Sequence, residues 1–318
     1  MDSTYVVGID VGGQTSKIGV VDARGTVLAQ TVIRTDTHEQ VELYIAELAE
    51  AVNKLIKESG TEGKIRGIGV GAPNGNYYTG TIENAPNLTW GRTRVEFAKL
   101  LSEAMNGLPV ALTNDANAAA VGEMTYGAAR GMKNFIMITL GTGVGSGIVI
   151  NGEVVYGHDG FAGELGHVAA VRNNGRTCGC GKTGCLEAYA SATGVARTAR
   201  EWLELTDEPS VLRNLDSIAS KDVYEAAREG DTLALKIFEF TGKILGRSFA
   251  DFIAFSAPEA IVLFGGLARA KEFLTEPIEE AMNANVLPLW RNKVKIVYSQ
   301  LKESDAAILG ASALAWEL

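Results

Sequence analysis

The sequence lacks the features that would place it in a membrane or on nucleic acid. No apolar run approaches the roughly 20 residues that a membrane-spanning helix needs. Met1-Asp2-Ser3-Thr4 carries no signal peptide pattern and is expected to lead straight into a strand. Basic residues are outnumbered, with 29 Lys and Arg against 38 Asp and Glu and a net charge of −9. Nucleic-acid binders carry basic faces, so this balance argues against DNA or RNA as a partner, and mildly against an anionic membrane surface. Cysteine and histidine are scarce, with three of each. All three cysteines fall between positions 178 and 185. A disulfide pair there would leave one thiol over, and nothing suggests secretion. Reduced thiols fit the cytoplasm.

What is present fits a soluble globular protein: 46% hydrophobic and 21% charged residues. A chain of 318 residues allows two domains with a sizeable core. The 37 glycines are the compositional anomaly, and they cluster in turns.

The scarce residues converge on one stretch. His167 precedes Cys178, Cys180 and Cys185, and three thiolates with one imidazole make a complete tetrahedral shell for zinc. Intervening glycines let a short backbone wrap a small ion. The spacing is not that of a finger, and three free thiols beside a chance histidine are the alternative. Glu164 and Glu187 flank the set. A filled structural shell cannot take substrate, so the metal would shape a pocket whose contents bond to these carboxylates.

Along the chain, 5–10, 17–21 and 27–33 read as an antiparallel meander, with the turn Val11-Gly12-Gly13-Gln14-Thr15 after Asp10. A meander is not the strand-loop-helix of a dinucleotide site, although glycine amides can still cradle phosphate. Apolar residues at Val41, Ile45, Leu48, Val52, Leu55 and Ile56 predict a helix. A strand over 65–71, a loop around Asn84–Trp90, a helix over 95–105 and a strand over 109–113 follow. Asn114-Asp115 then begins an alanine-rich helix, which Asp115 would cap if it had no other role.

The pattern restarts at 134. A strand to Leu140, a glycine turn over 141–147, a strand over 148–150, an Asn151-Gly152 hairpin and a strand over 153–156 repeat the opening. A strand over 260–264 ends in Gly265-Gly266-Leu267, and 294–298 is a further strand. Helices are expected over 186–203, 220–256, 277–285 and 304–316, the last capped by Ser304 or Asp305. A repeat of about 130 residues indicates a duplicated domain rather than a solenoid.

The motif Glu164-x-Gly166-His167-x10-Cys178-x-Cys180-Gly181-x-x-Gly184-Cys185-x-Glu187 resembles the signature of the ROK family (repressors, open reading frames and kinases). The duplicated domain resembles the actin-like ATPase (ribonuclease H-like) fold of sugar kinases, two α/β lobes with a ligand cleft between them. Asp10, Gly12, Gly13, Gln14 and Thr15 match its first phosphate turn, Gly141, Thr142 and Gly143 the second, and Gly265, Gly266 and Leu267 its nucleoside turn. The resemblance implies ATP and Mg2+ as cofactors beside structural Zn2+, with Asp10 toward magnesium. It implies Asp115 as general base, and Asn87, Asn114, Glu164, His167 and Glu187 with Asp115 as sugar contacts. Zinc would be held by His167, Cys178, Cys180 and Cys185. The implied activity is transfer of phosphate from ATP to a hexose 6-hydroxyl, glucose first. N-acetylmannosamine, N-acetylglucosamine, fructose, mannose or allose are other substrates, and a sugar-responsive repressor or non-catalytic sugar binder the other readings.

The resemblance divides the chain into a smaller lobe, 1–115 plus 302–318, and a larger lobe, 116–301, through which a homodimer would form. Three positions depart from the family pattern. Gln14 stands where threonine is usual, Asn74 where Gly-x-Pro-Gly has its last glycine, and Phe264 where a third glycine is common.

Overall fold

The computed structural model describes residues 4–318; Met1–Ser3, expected to run straight into the first strand, lie outside the described residues. Internal contacts divide the chain into two units.

The first unit opens with the meander β1 (Tyr5–Val11), β2 (Thr15–Asp22) and β3 (Val27–Arg34). Helix α1 (Val41–Glu58) follows, and its buried face carries Tyr44, Ile45, Leu48, Val52, Leu55 and Ile56 at helical spacing. Next come β4 (Ile65–Gly71), β5 (Gly75–Asn76), β6 (Thr81–Glu83), β7 (Arg94–Val95), α2 (Phe97–Ala104), β8 (Val110–Thr113) and α3 (Asp115–Tyr126). The main sheet has the order β3-β2-β1-β4-β8, and β4 and β8 run parallel to β1. Register aligns its strand ends: Asp10 lies opposite Gly71, and Gly71 opposite Thr113. Strands β5 to β7 form a small second sheet in a stretch the sequence presents as loop. With two or three residues each, they have no room for an alternating pattern.

The second unit contains β9 (Phe135–Leu140), β10 (Val144–Ile150), β11 (Glu153–Val154), α4 (Glu187–Ala190), α5 (Ala192–Leu205), α6 (Ser220–Arg228), α7 (Thr232–Ser256), β12 (Ala260–Phe264), α8 (Lys271–Asn285) and β13 (Lys295–Tyr298). Its sheet has the order β11-β10-β9-β12-β13, with β9 and β10 antiparallel and β12 parallel to both β9 and β13. Strand for strand this repeats the first sheet, which is the duplication.

Several elements differ from expectation. Strand β10 begins at Val144, so Gly145 and Gly147 are strand residues and the turn is only Gly141–Gly143. The helix expected over 186–203 breaks at Ser191, whose hydroxyl caps α5 by accepting from the Gly194 N–H at 3.0 Å. Helix α8 starts six residues before Pro277, which it carries inside.

The chain returns to the first unit at residue 300 and ends in α9 (Glu303–Leu314). Neither Ser304 nor Asp305 caps α9; their side chains bond to each other at 2.8 Å instead. The helix seats on bare glycine. A side chain at Gly69 would strike the Ala311 carbonyl, and one at Gly122 would lie 2.7 Å from the Gly310 Cα. Because α3 packs on α9 in this way, it belongs to the first unit, which extends to Met132 rather than stopping at 115, and which also takes Val154–Gly163. Among the described residues, no helix is long and apolar enough to cross a membrane.

Candidate functional site

In the first unit, strand register collects the acidic residues. Asp10 ends β1, and the adjacent strand end at Thr113 leads directly to Asp115. Asn114, not Asp115, caps α3: its Oδ1 accepts from the Asn117 N–H at 2.9 Å. Asp115 is thereby relieved of capping and accepts one local bond, from the Ala116 N–H at 2.8 Å. Burial, and then the charge of Asp115, raise the Asp10 carboxyl to about 6, while Lys17, its cross-strand partner, pulls the other way. The Asp115 carboxyl is also raised, by desolvation. Asp115 keeps an exposed surface, yet the protein packed around its carboxyl disfavours the charged form, which is why it is raised.

The first glycine turn is closed by a Gly12 N–H bond to the Thr15 carbonyl at 3.0 Å. The Gln14 carbonyl accepts from Thr35 at 2.9 Å, and the Gln14 side chain is exposed. Gly13 lies against Asn87, so close that a methyl group there would come within 2.9 Å of the Asn87 carbonyl. Asp10, the turn, Asn87, Asn114 and Asp115 therefore gather at one end of the sheet.

The second unit gathers its own set. The Gly141 N–H bonds to the Gly143 carbonyl at 3.0 Å. The start of α5 grips the same turn, through Thr193 Oγ1 to the Thr142 carbonyl at 2.8 Å and the Ala192 N–H to the Gly141 carbonyl at 2.8 Å. Glu187 Oε2 accepts from the Val144 N–H at 2.9 Å and lies so near Gly143 that any side chain there would collide with it. Glu187 Oε1 receives the Cys178 thiol at 3.5 Å. Glu187 thus joins the glycine turn to the cysteine loop, a link across 43 positions of sequence that no local pattern announces. Gly265, at φ +104, packs on the Leu140 carbonyl beside this turn, and Leu267 is buried.

The four candidate ligands meet. The donor atoms of His167, Cys178, Cys180 and Cys185 all lie within 4.8 Å of one another. His167 Nδ1 is 3.9 Å from the Cys178 sulfur, and the Cys180 and Cys185 sulfurs are 3.7 Å apart. Tetrahedral zinc with bonds near 2.3 Å puts its sulfur ligands about 3.8 Å apart, so the set fits that ion. A disulfide bond of about 2.05 Å does not fit these distances. Burial pushes the Cys178 thiol up to about 12, so loading a metal there has to displace a proton. Arg176 fixes the base of the loop. Its guanidinium bonds to Thr198 at 2.9 Å and to Glu201 and lies 4.5 Å over the Tyr189 ring, and the Arg176 backbone N–H donates to the Tyr189 hydroxyl at 2.7 Å. Glu164 is exposed and precedes a short turn, Leu165–His167, held on β10 by the Leu165 N–H to Ser146 Oγ at 2.9 Å.

Sequence reasoning missed Asn74, Thr193 and Arg176. Asn74 is the one that left a trace, as a departure from the expected loop.

Two sheets of the same order, each with a glycine turn after its first strand, give this chain the actin-like ATPase fold of the sugar kinases. The chain belongs to the ROK family, whose sequence profile matches residues 6–317. It is 37% identical over 315 residues to the glucokinase of Halalkalibacterium halodurans, covering 98% of this chain and 94% of that one. It is 35% identical over 321 residues to the glucokinase of Thermotoga maritima, covering 99% and 98%. Among solved structures, a ROK family glucokinase from Streptomyces griseus in complex with glucose and AMPPNP superposes with a TM-score of 0.80 at 32% identity, covering 99% of this chain and 100% of that one.

Proposed function

We propose that this protein is an ATP-dependent hexose kinase that phosphorylates glucose on its 6-hydroxyl. One observation carries the mechanism: Asn114 takes over the helix cap and leaves Asp115 free of capping beside Asp10, with its carboxyl raised by desolvation. A sugar hydroxyl ionises far above neutral pH, so a base must accept its proton as it attacks the γ-phosphate. A carboxylate with raised proton affinity suits that task better than a fully solvated one. The full-length glucokinase relatives, one solved with glucose and AMPPNP, support the substrate pair.

The other roles follow from phosphoryl transfer, which asks the protein for positioning and charge compensation more than covalent chemistry. Backbone N–H groups of Gly12 to Thr15 and Gly141 to Gly143 would hold the triphosphate, and Gly265, Gly266 and Leu267 the nucleoside. Asp10 would hold magnesium, which supplies charge neutralisation on the phosphates when bound. The fit is physical, since a cation relieves the repulsion that Asp10 and Asp115 now share. Asn87, Asn114, Glu164, His167 and Glu187 are assigned to the sugar hydroxyls, for which amides and carboxylates offer paired donors and acceptors. Zinc in the Cys178, Cys180, Cys185 and His167 shell supplies orientation only. His167 turns Nδ1 toward the cysteines, which leaves the Nε2–H as donor to a sugar.

The test is a coupled assay of ADP release with Mg-ATP and a panel of free hexoses and N-acetylhexosamines. The highest kcat/KM is expected for glucose. A higher value for fructose or an N-acetylated sugar would replace the substrate, and no release with any sugar would remove the kinase reading.

A further inference from the structure

The loop that carries Asn87 is held from outside itself, and its first anchor is Asn74. Asn74 sits at φ +52, the left-handed region, which asparagine tolerates better than other residues with a side chain. From there its Nδ2 donates to the Glu83 carbonyl at 3.0 Å and to the Asn84 carbonyl at 3.0 Å, while its own carbonyl accepts from the Glu83 N–H at 3.2 Å. Beyond that anchor the loop closes on itself, with the Ala85 N–H bonded to the Gly91 carbonyl at 2.7 Å. Thr89 Oγ1 reaches the His38 carbonyl at 2.6 Å, and the Trp90 ring stacks on Tyr44 and Phe97 with centroids 5.0 Å and 5.8 Å away. Asn87 is exposed within this loop and lies with its backbone against Gly13.

We propose that Asn74 is a positioning residue for the sugar. It fixes the entry to the 84–91 loop, so that the Asn87 amide is presented to a sugar hydroxyl in one orientation before the sugar arrives. The inference rests on the kinase reading for the identity of the ligand, but not for the anchoring itself. A glycine at 74 accepts the same backbone conformation and loses both amide bonds. An aspartate keeps the shape but turns an acceptor toward two carbonyl oxygens. The loop then has orientations to lose on binding, and that ordering cost falls on sugar affinity rather than on the chemical step.

The experiment compares wild type with Asn74→Gly and Asn74→Asp. Each is checked by circular dichroism and thermal melting, then assayed for glucose KM, ATP KM and kcat. Each is also measured by amide hydrogen exchange over 84–91 and by calorimetric glucose binding without ATP. Two hydrogen bonds of ordinary strength predict a glucose KM and Kd raised by about tenfold, with ATP KM and kcat changed by less than about twofold. Exchange should be faster in 84–91 and unchanged in 135–150. Unchanged exchange overturns the anchoring. Faster exchange with unaltered glucose Kd overturns the positioning role, and so does a loss shared equally by glucose, ATP and kcat. If wild type releases no ADP with any sugar, the kinase reading fails alone. Asn74 is then judged by exchange and by the calorimetric Kd, where equal glucose binding by wild type and variants, or none by any, overturns it.

Discussion

Replacing Asp10 by asparagine should make the protein more stable and leave it inactive. In the folded chain the Asp10 carboxyl titrates at about 6 instead of the ordinary 3.8 because it is half-buried and partly desolvated and faces Asp115. The folded form therefore binds this proton more tightly than the unfolded chain does. The stability linked to it is fully present below pH 3.8 and lost as pH rises through about 6. A gap of about two pH units corresponds to ~3 kcal/mol by pH 7.5, and to roughly half of that at pH 5. Asparagine resembles the protonated carboxyl and never ionises, so Asp10→Asn should recover this amount. Denaturant unfolding at pH 7.5 and at pH 5 checks it, with ADP release measured on the same samples. The gain should shrink toward pH 5. It should also be smaller in an Asp115→Asn background, where the repelling charge is gone. A gain of equal size at both pH values, or a loss at pH 7.5, would refute the argument that Asp10 is held ionised at a cost in stability. Residual turnover close to wild type would refute its functional role.

Three further outcomes are expected. Asp115→Asn should lower kcat by at least about a hundredfold while calorimetry still registers glucose binding; near-normal turnover would remove Asp115 as the base. Wild type should carry one zinc per chain by metal analysis, and Cys180→Ala should lose at least about tenfold in zinc affinity together with weaker glucose binding; an unchanged metal content would remove the site. Gly143→Ala puts a methyl group against Glu187 and should break its bond to the Val144 N–H. Losing a hydrogen bond to a charged group costs ~2 kcal/mol, so the melting temperature should fall and ATP KM should rise, whereas unaltered ATP kinetics would place the turn elsewhere.

Much of the fold is legible because the first strand of each sheet is a largely apolar run followed by a glycine turn. Tyr5–Val11 and Phe135–Leu140 announce themselves this way, and their 130-residue offset reveals the duplication. The cysteine loop is legible for a different reason, since three scarce residues fall within eight positions and their donor atoms meet with that of His167 in the fold. What was hidden depends on contacts far apart in sequence or on shifts of a single residue. Whether Asp115 caps its helix or is free for chemistry turns on Asn114 taking the cap one position earlier. Glu187 reads as a flanking acid and proves to be a tie between turn and loop. Asn74 reads as a defect in a glycine motif, and its amide turns out to hold the loop nine and ten residues away.

The seating of α9 has a consequence for how the chain is made. Strands β1 and β4 precede the whole second unit in the sequence, yet the bare glycine face they offer at Gly8 and Gly69 is covered by residues 308–312, which follow that unit. The second unit, residues 133–153 and 164–299, ends just ahead of that helix in the sequence. The first unit therefore cannot close its core until the whole of the second unit has been made, although its own strands precede that unit in the sequence. A cut that frees α9 would open the core of the half bearing Asp10 and Asp115.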